Sequence, residues 1–102
     1  MAISADLFDW DEFNIAHIAG HGVLPHEAEE VITNGPLDLD YEFREGEMRL
    51  RQVGETLTGR ILVVVSTFRD ELTRVVTAYP ASGFLRGVYL KELAKYGEAN
   101  PS

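Results

Sequence analysis

Hydrophobic and polar positions follow two periods along the chain. From residue 37 to 79 apolar residues recur every second position, interrupted by short turn segments. On either side they recur at helical spacing. The pattern is densest in Ile61-Leu62-Val63-Val64-Val65, an aliphatic run too short for a helix and rich in β-branched side chains. Such a run predicts a strand covered on both faces, here at 60–68, at the centre of an antiparallel sheet. Before it, Leu37, Leu39, Tyr41 and Phe43 alternate with Asp38, Asp40, Glu42 and Arg44, predicting a strand with one wet face. After the Glu45-Gly46 turn, residues 47–53 return, with Met48 and Leu50 facing one way and Arg49 and Arg51 the other. Residues 54–59 form a loop. Beyond a tight turn at Asp70-Glu71, residues 72–79 form the last strand and Pro80 ends it. Strict alternation there puts Thr73, Val75, Thr77 and Tyr79 on one face and Leu72, Arg74, Val76 and Ala78 on the other.

The flanks predict three helices. The first spans about 10–19, with Asp9 as N-cap and Glu12 as its capping-box partner. Its buried stripe is Phe13, Ala16 and Gly20, widened by Ile15 and Ile18, and Gly20 and Gly22 stop it. Ahead of it, Ile3, Leu7, Phe8 and Trp10 supply a short edge strand. A second helix starts at Pro25, with Leu24 in place of a polar cap and Glu27, Glu29 and Glu30 near its positive end. It buries Ala28, Val31 and Ile32 and ends at Asn34-Gly35-Pro36. A closing helix at about 83–96 buries Leu85, Val88 and Leu93, with Tyr89 at its margin; Gly97 caps it and Glu98–Ser102 fray. Helix, helix, four-strand meander and helix describe one α+β domain over residues 1–102, its helices layered on one face of the sheet.

Composition adds a charge asymmetry. The net charge is −8, divided as −11 over residues 1–47 and +3 over residues 48–102. Two surfaces with different partners fit that division. There is no cysteine, so disulfides and thiolate chemistry drop out. No apolar leader follows a basic region and no stretch has the length of a membrane span, so a cytoplasmic protein is expected.

Candidate chemistry concentrates in arginines and histidines. Arg49, Arg51 and Arg74 are strand residues able to converge on an exposed sheet face. Guanidinium groups there bind phosphate through paired N–H donors and stay charged. With Thr67 or Tyr79 nearby they suit an RNA backbone; the alternative is cross-strand pairing with Glu47, Glu42 or Glu71. His17 and His21 lie four apart, a spacing that places two imidazoles on one metal if His26 or a carboxylate completes the set; helix capping and packing explain them without one, and no metal is expected. Asp9, Asp11 and Glu12 are explained by capping. Gly83–Gly87 lacks the lysine of a phosphate loop, and Ser66 and Ser82 lack a histidine placed to activate them.

Several segments resemble the BrnT-type toxin family. They are Phe8-Asp9-Trp10-Asp11-Glu12, then Asn14, His17 and His21-Gly22-Val23, then Pro25-His26-Glu27-Ala28. The likeness continues through Glu45-Gly46-Glu47 with Arg49, Val53-Gly54, Gly59-Arg60, Leu62–Val65 with Thr67, and Arg74–Ala78. The resemblance implies a toxin of a type II toxin–antitoxin system with a RelE-like fold. It further implies an enzyme that cuts RNA without metal or cofactor, slows translation, and is held inactive by a BrnA-like ribbon-helix-helix antitoxin. By position, Arg49, Thr67 and Arg74 match polar sheet residues, and Arg86 and Tyr89 match the closing helix; these five form the candidate catalytic set. Arg51, Arg60 and Lys91 are candidate RNA contacts, and His17 and His21 candidate proton carriers. The family's run of arginines before the closing tyrosine is thinned here, since Tyr79–Tyr89 holds only Arg86. Fewer cations mean weaker phosphate binding. The alternative function is therefore a binding module that docks a partner through Phe84, Leu85, Val88 and Tyr89 without cleaving RNA, or a homodimer through the same patch.

Overall fold

A computed structural model describes residues 7–99. It contains helices α1 (Glu12–Ala19), α2 (Pro25–Thr33) and α3 (Gly83–Ala99) and strands β1 (Leu37–Arg44), β2 (Glu47–Glu55), β3 (Ile61–Arg69) and β4 (Leu72–Pro80). The strands form an antiparallel sheet in chain order, β1-β2-β3-β4. This is the expected α+β order. Ile3 and Asn100–Ser102, part of the expected edge strand and fraying tail, lie outside the described residues. The α3 helix carries on through Glu98 to Ala99.

The first helix begins later than its sequence suggests. Phe8 bridges Thr73 of β4 and the Asp9 N–H donates to the Thr73 carbonyl at 2.9 Å. That pairing holds the chain extended past Asp9, so Asp11 becomes the N-cap, accepting the Asn14 N–H at 2.8 Å. The Asp9–Glu12 capping box does not form. The helix also presents another face: Ile18 and Asn14 are buried, four apart, whereas Phe13 is 77% exposed. In α2 the carboxylate of Glu27 reaches back to accept the Leu24 N–H at 3.0 Å, which compensates for the apolar cap residue.

The helices do not share one face, contrary to the layered expectation. Ile18, Val23, Ala28 and Val31 cover Leu62, Val64, Val75 and Ala78 on one side of the sheet. On the other side α3 covers Val53, Ile61 and Val63 at one end only, and Tyr89 is its anchor, 5% exposed. Tyr89 is therefore core rather than margin, while Leu93 is half exposed. Close approach of α2 needs Gly54, where a Cβ would stand 3.0 Å from Val31 Cγ1 and Pro36 Cβ.

Two β-bulges decide which way the strands point their side chains. In β1 the register skips Leu39: Asp38 pairs with Gln52, and Asp40 with Arg51. Leu37 and Leu39 pack with the α3 cluster, but Tyr41 and Phe43, in register with Leu50 and Met48, emerge on the opposite face and are exposed. The single apolar face expected for this strand is thus split. In β4 the register skips Val76, pairing Thr77 with Val65 but Val75 with Ser66 and Arg74 with Thr67. Val75 therefore joins Ala78 in the core. Arg74 shares the face of Thr77 and Tyr79, reversing the alternation read from sequence.

Candidate functional site

At the hairpin-turn end of the sheet no described helix crosses the α3 side, and strand residues there are open. Period-two alternation places Arg49 of β2, Thr67 and Arg69 of β3 and, through the Val76 bulge, Arg74 of β4 on this one surface. The exposed edge of α1 forms the remaining wall. A cleft of about 410 Å³ results, with Arg49, Arg69, Arg74, His17, Asn14 and Phe13 in its lining. Arg49 and Arg74 therefore meet in one hollow, on strands separated by β3.

Carboxylates orient two of the three guanidiniums. Arg74 Nη2 donates to Asp11 Oδ2 at 2.6 Å and Nη1 to Asp9 Oδ2 at 3.2 Å. Arg49 donates to Glu47 Oε1 through Nε at 3.3 Å and Nη2 at 3.2 Å, and Glu45 lies 3.9 Å away. Arg49 does pair with Glu47, but along its own strand rather than across strands, and the partners of Arg74 come from the α1 N-terminus. Each guanidinium keeps further N–H donors for a ligand. Among the described residues Arg69 makes no ion pair. The Asn14 N–H and then Arg74 hold the Asp11 carboxyl below the ordinary carboxylate range, and Asp11 holds the Arg74 guanidinium above its own.

A row of rings begins at Phe13 and His17 in the α1 wall and runs on to His21 and Tyr79, which do not line the cleft. Phe13 stacks on His17 at 6.4 Å, His17 meets His21 edge-on at 5.0 Å, and His21 meets Tyr79 edge-on at 6.1 Å. His21 Nδ1 lies 3.1 Å from the Ala78 carbonyl. A carbonyl only accepts, so Nδ1 carries the proton there. Asn14 is buried, and its Oδ1 has no hydrogen-bond partner. Among the described residues no cluster of three or more His, Asp or Glu is placed to hold a metal ion.

The other sequence candidates do not line the cleft, Thr67 included although it shares the face. Thr67 is buried in register with Arg74, and its hydroxyl donates to the Met48 carbonyl at 2.9 Å. Arg51 donates to both oxygens of Asp40, at 3.0 and 2.9 Å. Arg60 holds Glu27 at 2.7 and 2.8 Å and the Gly22 carbonyl at 3.1 Å, tying the start of β3 to the α1–α2 link. Tyr89 Oη donates to Glu55 Oε1 at 3.4 Å, and burial, then Glu55, push the phenol up. Arg86 and Lys91 are exposed on α3, outside the cleft. Two cleft residues escaped the sequence reading. Arg69 falls just past the strand predicted at 60–68, although it lies two positions after Thr67 and so shares its face; Asn14 carries no pattern that announces burial of a polar helix residue.

These pairings predict a loss of stability in acid. The Asp11 and Asp40 carboxyls are lowered from 3.8, the second chiefly by Arg51. Burial raises Glu27, but the Arg60 and Leu24 donors outweigh it and leave it lowered from 4.5. Groups lowered in the folded state stabilise fully above their unfolded values and lose that contribution as pH falls through the folded ones. Thermal denaturation is expected to show a plateau in Tm above about pH 5 and a steady fall below pH 4, and Asp40→Asn should flatten the fall.

Two folded layers around an open, arginine-lined sheet end define a small α+β domain. The chain belongs to the BrnT family: residues 10–83 match the model described as ribonuclease toxin, BrnT, of type II toxin-antitoxin system. Membership implies an antitoxin partner. No curated protein matches the sequence. The match ends at the first residue of α3, close to where the expected run of arginines is thinned. Among the described residues no helix is long and apolar enough to cross a membrane.

Proposed function

We propose that the chain is a cytoplasmic endoribonuclease that cleaves RNA at the α1–sheet cleft without a metal ion and so slows translation. One observation carries the reading: Arg49, Arg69 and Arg74, from three different strands, line one hollow with His17. A scissile phosphate held there receives donors from separate directions as its charge grows in the transition state. The RNA 2′-hydroxyl attacks the adjacent phosphorus and the P–O5′ bond breaks, leaving a cyclic phosphate and a free 5′-hydroxyl. His17 takes the 2′-proton as base, and a second carrier, His21 or water, returns one to the leaving oxygen. Asp9, Asp11 and Glu47 act as positioning residues that fix the guanidinium planes. Arg51 extends the phosphate track along β2. Arg86 and Lys91 add outlying charge, and Thr67 and Tyr89 support the site through the backbone and the core. A BrnA-like ribbon-helix-helix protein is the proposed antitoxin.

A second reading has its own support. Carboxylates already pair Arg49 and Arg74, and the net charge is −8, so the cleft attracts RNA weakly. Under that reading the chain binds its antitoxin and cleaves nothing. Induction in a host without the antitoxin separates the two. Growth arrest at good soluble expression supports the nuclease; unaffected growth at the same expression contradicts it.

A further inference from the structure

The opposite face of the same hairpins is open and carries exposed apolar side chains among polar ones. Tyr41, Phe43, Met48 and Phe68 are each more than half exposed there, and Tyr41, Met48, Phe68 and Leu50 help line a hollow of about 620 Å³. The Leu39 bulge creates this patch, because strict alternation would keep Tyr41 and Phe43 with Leu37 and Leu39 beside α3. The patch adjoins a sheet edge: among the described residues β1 pairs with β2 alone, so its outer N–H and C=O groups have no strand partner. A free edge beside clustered aromatic anchors is what an incoming protein segment needs.

We infer that this face seats the antitoxin, through a cationic, partly apolar segment that pairs along β1 and inserts side chains among Tyr41, Phe43, Met48 and Phe68. The partner's existence rests on membership of the toxin family. Charge selects it over a second copy. Asp38, Asp70 and Glu71 beside the patch have no cationic partner among the described residues, against one unpaired cation there, Arg69. Two copies would bring like charges together, whereas a basic segment is complementary. Arg69 borders both this hollow and the cleft, so a segment seated here lies one side chain from the proposed RNA site.

The test takes the product of the reading frame adjacent to this gene as the candidate antitoxin, co-expresses it with the full chain and measures affinity by calorimetry. Tyr41→Ser with Phe43→Ser should weaken the complex by about 100-fold, with an unchanged melting profile because both side chains are exposed. Leu57→Ser, on an exposed loop at the far end of the sheet, should bind as the parent does. Parental affinity in the Tyr41/Phe43 variant overturns the docking face. A parent chain that does not bind the neighbouring protein overturns the antitoxin assignment and the docking with it. A dimer of the chain alone that the double variant dissolves assigns the face to a second copy and overturns the proposal.

Discussion

Arg74→Ala should abolish the growth arrest proposed for the parent chain and lower the proposed RNA cleavage by about 10²–10³-fold, the usual cost of removing one preorganised transition-state donor. The loss should arise from chemistry rather than unfolding. Arg74 is partly exposed, and its carboxylate partners, each 43% exposed, return to water when it is removed. Soluble yield and melting temperature should therefore stay near the parent's. Arg74→Lys should recover little activity, because an ammonium keeps the charge but lacks the planar fork that spans Asp9, Asp11 and a phosphate together. Rapid arrest by the alanine variant at equal expression would remove Arg74 from the site.

The second large effect concerns stability. Tyr89 fills the cluster of Val53, Ile61 and Val63 beneath α3. Tyr89→Ala should cost about 3–4 kcal/mol, as deletion of a buried ring does. At about 4–8 °C per kcal/mol for a domain of this size, Tm should fall by roughly 12–32 °C. Tyr89→Phe keeps the ring and loses only a 3.4 Å hydrogen bond to Glu55, so it should cost about 1 kcal/mol and leave RNA cleavage unchanged. That contrast separates a core tyrosine from one that moves protons. Cleavage lost in the phenylalanine variant at parental stability would return Tyr89 to the chemistry.

Much of the fold was legible in the sequence because local signals agreed. The Leu62–Val65 run could only be a doubly covered strand, and Asn34-Gly35-Pro36 could only end a helix. The bulges were not legible. Val75 and Val76 are both apolar, so the period-two pattern stays acceptable in either register, and only pairing with β3 shows which valine is extra. Leu37 to Phe43 alternate without a flaw, yet the chain steps at Leu39 and sends the second pair to the opposite face. The candidate site inherits this blindness. The convergence of Arg49 and Arg74 was anticipated from residue type, but the sequence pattern put Arg74 on the face of Ala78. Likewise, Asp9 was read as a cap because nothing local shows that β4 captures its backbone. The side of the sheet taken by α3 is set by burial of Tyr89, a tertiary choice with no local signal.

Cleavage of single-stranded RNA by the purified chain in excess chelator, beside Arg49→Ala/Arg74→Ala, is the most direct test. The parent should cut the RNA to cyclic-phosphate ends while the folded double variant leaves it intact. Equal cutting by both proteins, or none by the parent, would contradict the guanidinium cleft as the seat of the reaction.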